Sequence, residues 1–248
     1  MPSVKTVISV SESWARSSPE CSTPTGDRRH THGRTFDVIL LGQYDSPFVR
    51  RVAITLHYYG LAFEHRPWSV WGDADRIASH NPLRRVPTLL LQDGAALVET
   101  FAILDYLDEL APPERLLLPA SGKLRRDGLR VAALAAGVAD KAVTLLYASL
   151  DLMQPSPRWT ARCRAQVLET LDVLDRERAG RTSPYWFGDA LNHADVALAC
   201  SYRFTSDAHP DLIASGRFPA LTAQLERCEK LPEFQQVYLP ITNNLTQS

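Results

Sequence analysis

A proline at the head of a short apolar strand, a tight turn and then a helix start restrict this chain more than anything else in it. The stretch Arg85-Val86-Pro87-Thr88 leads into Leu89-Leu90-Leu91, an Asp93-Gly94 pair, and Ala96-Leu97-Val98. Asp-Gly between apolar runs is a strong hairpin signal, so Thr88–Leu91 and Ala96–Val98 are expected to pair as antiparallel strands. Pro87 stands where a strand tolerates proline, at its first position. Proline has no N–H for the ladder, and a cis bond there would turn Val86 outward with its backbone N–H and C=O free to dock a peptide.

Directly after the second strand, Glu99-Thr100 opens Phe101 to Leu110, whose apolar residues recur at helical spacing. A hydroxyl and unpaired backbone N–H groups at a helix N-terminus attract a carboxylate, while Glu99 attracts an ammonium. The head of an amino acid carries both.

Two motifs extend this constellation. Asn81-Pro82-Leu83-Arg84-Arg85-Val86-Pro87-Thr88-Leu89 and Glu99-Thr100-Phe101-Ala102-Ile103-Leu104-Asp105-Tyr106-Leu107 resemble the Asn-Pro-x-Gly-Lys-Val-Pro-x-Leu and Glu-Ser-x-Ala-Ile-x-x-Tyr-Leu motifs of the glutathione transferase superfamily. The resemblance runs from about Phe36 to about Tyr238 and is to the serine-type, bacterial-like members. It implies an α/β thioredoxin-like N-terminal domain, ordered βαβ-α-ββα with a mixed four-stranded sheet, followed by an all-α C-terminal domain. It also implies glutathione as co-substrate and a homodimer, with Arg85, Val86, Pro87, Glu99 and Thr100 binding the tripeptide. Arg85 replaces the usual Lys and suits the glycine carboxylate. Arg84 replaces the usual Gly, which predicts a position that does not require positive φ.

The pattern beyond the motifs agrees. Phe36–Leu41 reads as a strand, Pro47–Tyr59 as a helix ended by Gly60, Ala62–Pro67 as a strand and Asp73–His80 as a short helix. Pro and Gly punctuation marks a linker over residues 112–122, after a first domain at residues 36–111. Residues 123–248 read as helical, over Lys123–Leu150, Pro157–Ala179, Asn192–Ser206 and Pro219–Leu231. Within it Gly188-Asp189-Ala190-Leu191-Asn192-His193-Ala194-Asp195 resembles the family's Gly-Asp-x-x-Ser/Thr-x-Ala-Asp element. Asn192 as N-cap with Asp195 at N3 makes it a folding element.

The loop before the first helix, Gln43-Tyr44-Asp45-Ser46-Pro47, lies where the superfamily keeps the group that handles the glutathione sulfur. A thiol with pKa near ~8.5 is mostly protonated at neutral pH, so a hydroxyl donor at a helix N-terminus is needed to hold the thiolate. By resemblance that group is Ser46, with the Tyr44 phenol as the rival; Asp45 would repel a thiolate. Ser46-Pro47 is also a common helix start, and the two roles are compatible. A hydroxyl forms no mixed disulfide, which disfavours thiol exchange and leaves conjugation, with glutathione-dependent isomerisation or dehalogenation, or a non-catalytic scaffold, as alternatives.

Several residues take structural readings. Arg50 and Arg51 read as a solvated helix face, Trp68 and Trp71 as packing of the sheet edge with the glutathione groove as the alternative, and Val143, Leu146, Tyr147 and Leu150 as a core stripe whose Tyr147 hydroxyl is able to face a ligand. His57, His65, His80 and His193 show no partner spacing, and the four cysteines are scattered without metal-type spacing. A net charge of −1 gives no reason to expect nucleic acid or an anionic membrane as partner, and no apolar run approaches the roughly 20 residues of a membrane helix. Scattered thiols suit a reduced, cytoplasmic setting.

Residues 1–35 are rich in Ser, Thr and Arg and carry Glu12, Glu20 and Asp27. They read as a disordered extension or an artefact of start-codon choice, since their one apolar patch is too short for a signal-peptide core. Deleting them is expected to leave the melting temperature and glutathione binding as they are, and a large loss of stability on truncation would show that they pack against the body.

Overall fold

The computed structural model describes residues 38–214 and 216–241. In the first half the order is β1 (Val38–Leu41), α1 (Pro47–Tyr59), β2 (Phe63–Arg66), α2 (Ala74–Ala78), β3 (Thr88–Leu91), β4 (Ala96–Val98) and α3 (Thr100–Leu110). The α1 crossover makes β1 and β2 parallel, while the hairpin makes β3 and β4 antiparallel, giving the mixed sheet order β2-β1-β3-β4. At the hairpin, Gly94 takes φ 87° and the Asp93 carboxylate accepts the Ala95 N–H at 2.9 Å. Phe36 and Asp37 of the expected first strand, the whole N-terminal extension and Cys21 lie outside the described residues.

Local signals place α1 well. Pro47 sits in its first turn, the Ser46 hydroxyl caps it, and Gly60 closes it in the left-handed conformation. The helical half comprises α4 (Lys123–Ser149), α5 (Pro157–Ala179), α6 (His193–Ala208), α7 (Pro219–Cys228) and α8 (Pro232–Gln235). The sequence pattern merged the loop before α8 into α7; Pro232, which lacks an N–H, instead opens a separate turn. By length and composition alone α4 is apolar enough to cross a membrane, contrary to the reading that no such run exists. Its Ala132, Ala135, Val138, Ala139 and Ala142 are nevertheless buried within the protein.

The start of α6 is a capping box. The Asn192 side chain accepts the Ala194 N–H at 2.9 Å, and the Asp195 carboxylate accepts the Asn192 N–H at 3.1 Å. Asp195 also accepts the Trp186 N–H and the Gln224 side-chain amide, both at 2.9 Å. Burial pushes this carboxyl up to about 7 while the backbone donors pull it down, and because its partners Trp186, Asn192 and Gln224 all belong to the helical half the group serves packing there.

Helix α1 has no solvated face. Arg50 and Arg51 are each only 3% exposed, which overturns the reading of these two as a solvated stripe. The Arg50 guanidinium donates to both oxygens of Glu229 at 3.0 and 2.8 Å and to the Phe234 carbonyl at 3.1 Å. Arg51 lies over the Phe101 ring, 5.1 Å from its centroid, and burial lowers its pKa to about 10. At the far end of α1 the Tyr59 hydroxyl donates to Asp108 at 2.6 Å, and the same carboxylate oxygen lies 2.7 Å from His193 Nε2. Burial would raise the Asp108 carboxyl, but the hydrogen bonds from His193 and Tyr59 and the charges of His193 and Arg125 hold it below its ordinary value. Tertiary packing decides all of this: α1 packs against α3, α6 and α8.

Breaking one partner of a buried ion pair strands the other charge. Glu229→Ala is therefore expected to lower stability by about 3–5 kcal/mol, and Glu229→Gln, which keeps an acceptor oxygen for Arg50, to lose less. Denaturant unfolding of both variants measures this; a loss in Glu229→Ala typical of a surface change would mean that Arg50 is satisfied without Glu229.

Candidate functional site

Two contiguous hollows lie between the sheet half and α4. The smaller, about 360 Å³, is lined by Arg85, Val86, Pro87, Glu99, Thr100 and Phe101 from one side and by Ala136, Gly137 and Asp140 of α4 from the other. The larger, about 580 Å³, contains Ser46, Asp45, Trp68, Trp71 and, on α4, Val143, Leu146 and Tyr147. Phe48, Arg85, Val86 and Asp140 line both, so one elongated ligand is able to occupy the two together.

The smaller hollow brings together five of the residues singled out in the sequence. The Val86–Pro87 bond is cis, and neither the N–H nor the C=O of Val86 has a hydrogen-bond partner among the described residues. Thr100 opens α3 and is buried, while Glu99 precedes it at φ 69° without capping the helix through its side chain. The Glu99 carboxylate instead meets Arg85 Nη1 at 3.3 Å, with both side chains more than half exposed. An exposed pair of this kind is weak and is readily exchanged for ligand charges. Carboxylate, guanidinium, helix N-terminus and free backbone groups thus converge on one groove, a set that suits an amino-acid head and a peptide backbone.

Two residues that shape this groove were given no role from the sequence. Asn81, which opens the motif quoted from the sequence, is buried and its amide donates to the Arg85 carbonyl at 2.9 Å and to the Thr88 hydroxyl at 3.0 Å, bracing the loop from inside. Gly42 takes φ 123°, and a Cβ there would meet Val49 at 2.5 Å and Val86 at 2.8 Å. Only glycine lets α1 and the Val86 loop approach each other this closely. Arg84, in contrast, corrects an expectation: it does adopt positive φ, 53°, and its guanidinium meets Asp75 at 3.0 Å.

In the larger hollow the Ser46 hydroxyl accepts the Val49 N–H at 3.4 Å, which leaves its own proton free to donate. Tyr44 is elsewhere. Its ring stacks on His65 with centroids 3.9 Å apart and planes within 3°, and it lines neither hollow but a small neighbouring recess beside Arg50 and Tyr238. Burial pushes its phenol up to about 12. Asp45 does line the larger hollow, and burial raises its carboxyl while the Ser46 N–H and its own N–H pull it down.

Trp68 and Trp71 also line this hollow rather than serving only to pack the sheet edge. Trp71 meets Tyr147 edge-on with centroids 5.3 Å apart, so an aromatic contact joins the two halves across the cleft. Of the α4 stripe read as core, Val143, Leu146 and Tyr147 face the hollow, and Leu150 packs beside a small cluster of Ala142, Leu146 and Phe204. His65 Nε2 lies 2.8 Å from the Gly42 carbonyl and His193 is bound to Asp108, so both act as braces.

Known proteins resemble this chain in sequence and in fold. Residues 40–115 match the family model of the glutathione S-transferase N-terminal domain, and residues 157–228 that of the C-terminal domain. An uncharacterised GST-like protein of Escherichia coli K12, YibF, is 30% identical over 169 residues, 65% of this chain and 79% of its own. Glutathione S-transferase U22 of Arabidopsis thaliana is 25% identical over 195 residues, 77% of this chain and 85% of its own. Among solved structures, a Methylobacterium radiotolerans glutathione S-transferase in complex with glutathione sulfonate superposes with a TM-score of 0.74 at 28% identity, covering 83% of this chain and 97% of that one. A Pseudomonas fluorescens Pf-5 family member with bound glutathione gives 0.68 at 27% identity, covering 82% and 100%.

The positive φ of Glu99 is a cost borne by a side-chain-bearing residue, of order 1–3 kcal/mol for a backbone in such a region. Glu99→Gly is expected to hold or raise stability by up to ~1 kcal/mol, the relief being partly offset by the greater freedom of glycine in the unfolded chain. Thermal melts of native protein, Glu99→Gly and Glu99→Ala test this. A Gly variant less stable than the Ala variant would show that no strain is stored there.

Proposed function

The chain belongs to the glutathione S-transferase family, and from that premise we propose that it binds glutathione in the groove described above and directs the thiolate onto a small electrophile. In this reading the γ-glutamyl head sits at Glu99 and Thr100, the tripeptide backbone pairs with Val86 beside Pro87, and Arg85 takes the glycine carboxylate. What supports it most is the continuity of the two hollows: Val86, which the peptide would pair with, lines both, and Ser46 lines the larger.

Ser46 is the sulfur ligand in this scheme. Its hydroxyl proton is free, it stands at the N-terminus of α1, and hydroxyl and helix dipole both favour an anion. Tyr44, the alternative, is turned into the stack with His65. Of the described cysteines, Cys163, Cys200 and Cys228 are all buried, and burial pushes the Cys200 thiol up to about 11, so none offers the thiolate that disulfide exchange needs. The reaction is therefore addition or displacement by the glutathione sulfur. A cytoplasmic homodimer completes the proposal, the first from the scattered thiols and the second from family membership.

Two measurements test it. Calorimetry is expected to show glutathione binding that weakens by ~1.5–3 kcal/mol in Glu99→Ala, the usual worth of a hydrogen bond to a charged group. Ser46→Ala is expected to raise the pKa of the bound thiol and cut turnover while leaving glutathione affinity close to native, because the hydroxyl acts on the charged sulfur and the termini supply most of the binding. Thiolate ultraviolet absorbance against pH reads the shift. An unmoved titration would transfer the role to Tyr44.

A further inference from the structure

Resting on the reading above, we propose that Asp45 takes the proton of the glutathione thiol, directly or through one water, so that ionisation at Ser46 is an internal transfer from sulfur to carboxylate. Asp45 and Ser46 are consecutive in the chain and both line the larger hollow. Ser46 favours a thiolate by donating a hydrogen bond to it, which does not remove the proton that the thiol has to lose. Either a second side chain receives that proton or bulk water does.

The described residues lining the two hollows include no histidine, cysteine or lysine, and three carboxylates are left as acceptors: Glu99, Asp140 and Asp45. Glu99 meets Arg85 at 3.3 Å and in this scheme takes the ligand's ammonium. Asp140 meets Lys141 Nζ at 2.8 Å, with its side chain half exposed. Asp45 differs from both, because the influences on its carboxyl are burial and two backbone N–H groups, with no cation among them. The cations nearest to it are occupied elsewhere. Arg50 and Arg203 line the neighbouring recess with Asp45, but they meet Glu229 at 2.8 and 3.3 Å, and Arg203 also meets Asp207 at 3.5 Å. Arg84 and Arg85, in the larger hollow, are paired with Asp75 and Glu99. On α4 the Tyr147 phenol feels the Asp45 charge and is raised above its ordinary value, chiefly by burial, so it stays neutral.

An ionised Asp45 beside a thiolate would put two like charges in one largely apolar hollow, each opposing the other. Transfer removes that conflict. The S–H bond breaks, the proton forms an O–H bond on the carboxylate, and the site carries one negative charge before and after; nothing is oxidised or reduced. Burial disfavours the ionised carboxylate, which makes Asp45 a better proton acceptor than an exposed aspartate. The thiolate electron pair then forms the bond to the electrophile, and the proton passes from Asp45 to the adduct or to solvent, restoring the carboxylate for the next glutathione.

The test counts protons against thiolates. Glutathione is titrated into the native full-length protein at neutral pH; thiolate ultraviolet absorbance gives the ionised sulfur, and calorimetry in buffers of different ionisation enthalpy gives the protons released. S-methylglutathione, with the same termini and no S–H, corrects for protons that other groups gain or lose on binding. The native chain is expected to form thiolate while releasing far less than one proton per sulfur. Asp45→Asn, similar in shape but without a basic carboxylate, is expected to release about one proton for each thiolate it still forms. A native ratio of about one would mean that solvent takes the proton and would overturn the proposal, whether or not the variant folds. The same ratio in both proteins would do so too, as would glutathione bound to the native chain without thiolate. A native chain that binds no glutathione would refute the underlying reading instead, and the calorimetric heats separate that outcome from the others.

Discussion

The buried guanidinium of Arg50 sets where α1 sits, and most of the cleft follows from that position. A charge taken out of water is tolerated only with its partner in place, and here the partner, Glu229, lies 179 residues away in sequence, just after α7. At the opposite end of the same helix Tyr59 is tied to Asp108, which is tied in turn to His193 at the start of α6. Helix α1 is therefore clamped twice to elements that do not belong to its own sheet. Its N-terminus carries Ser46, and through Val49 and the bare backbone of Gly42 it also bears on the Val86 loop.

Strong and weak interactions are divided by location. Those that hold the frame are buried and doubly bonded: Arg50 with Glu229, Asn81 inside its loop, Asp195 at the α6 cap. Those that face the groove are exposed and loosely paired, as Arg85 and Glu99 are with each other. A ligand that brings its own carboxylate and ammonium meets little resistance in displacing such a pair, while the backbone that presents Glu99 at positive φ does not have to move. Preorganisation thus lies in the main chain and the buried braces, and adaptability in the side-chain tips.

Much of the architecture was legible because its causes are local. Ser46-Pro47 and Gly60 bracket α1, Asp93-Gly94 dictates the hairpin, and Asn192 with Asp195 starts α6; each signal acts within a few residues, so the chain states it directly. The convergence of Val86, Glu99 and Thr100 was readable for the same reason, because a thirteen-residue span from Val86 to Val98 folds back on itself through a turn that the sequence specifies.

The environments of side chains were settled only by packing. Arg50 and Arg51 look like a solvated stripe from spacing alone, and nothing near them in sequence says that α3, α6 and α8 enclose the helix. Arg84 at positive φ is held by a loop whose brace, Asn81, is itself buried by the fold. Tyr44 and Ser46 are two positions apart and both carry a hydroxyl, and it is packing that stacks Tyr44 on the His65 ring from β2 while Ser46 lines the larger hollow. Trp71 and Tyr147 meet only because the two halves close on each other. Secondary structure and motif spacing depend on neighbours along the chain, which the sequence orders; burial, charge pairing and the facing of one wall by another depend on neighbours in space, and only the folded molecule chooses those.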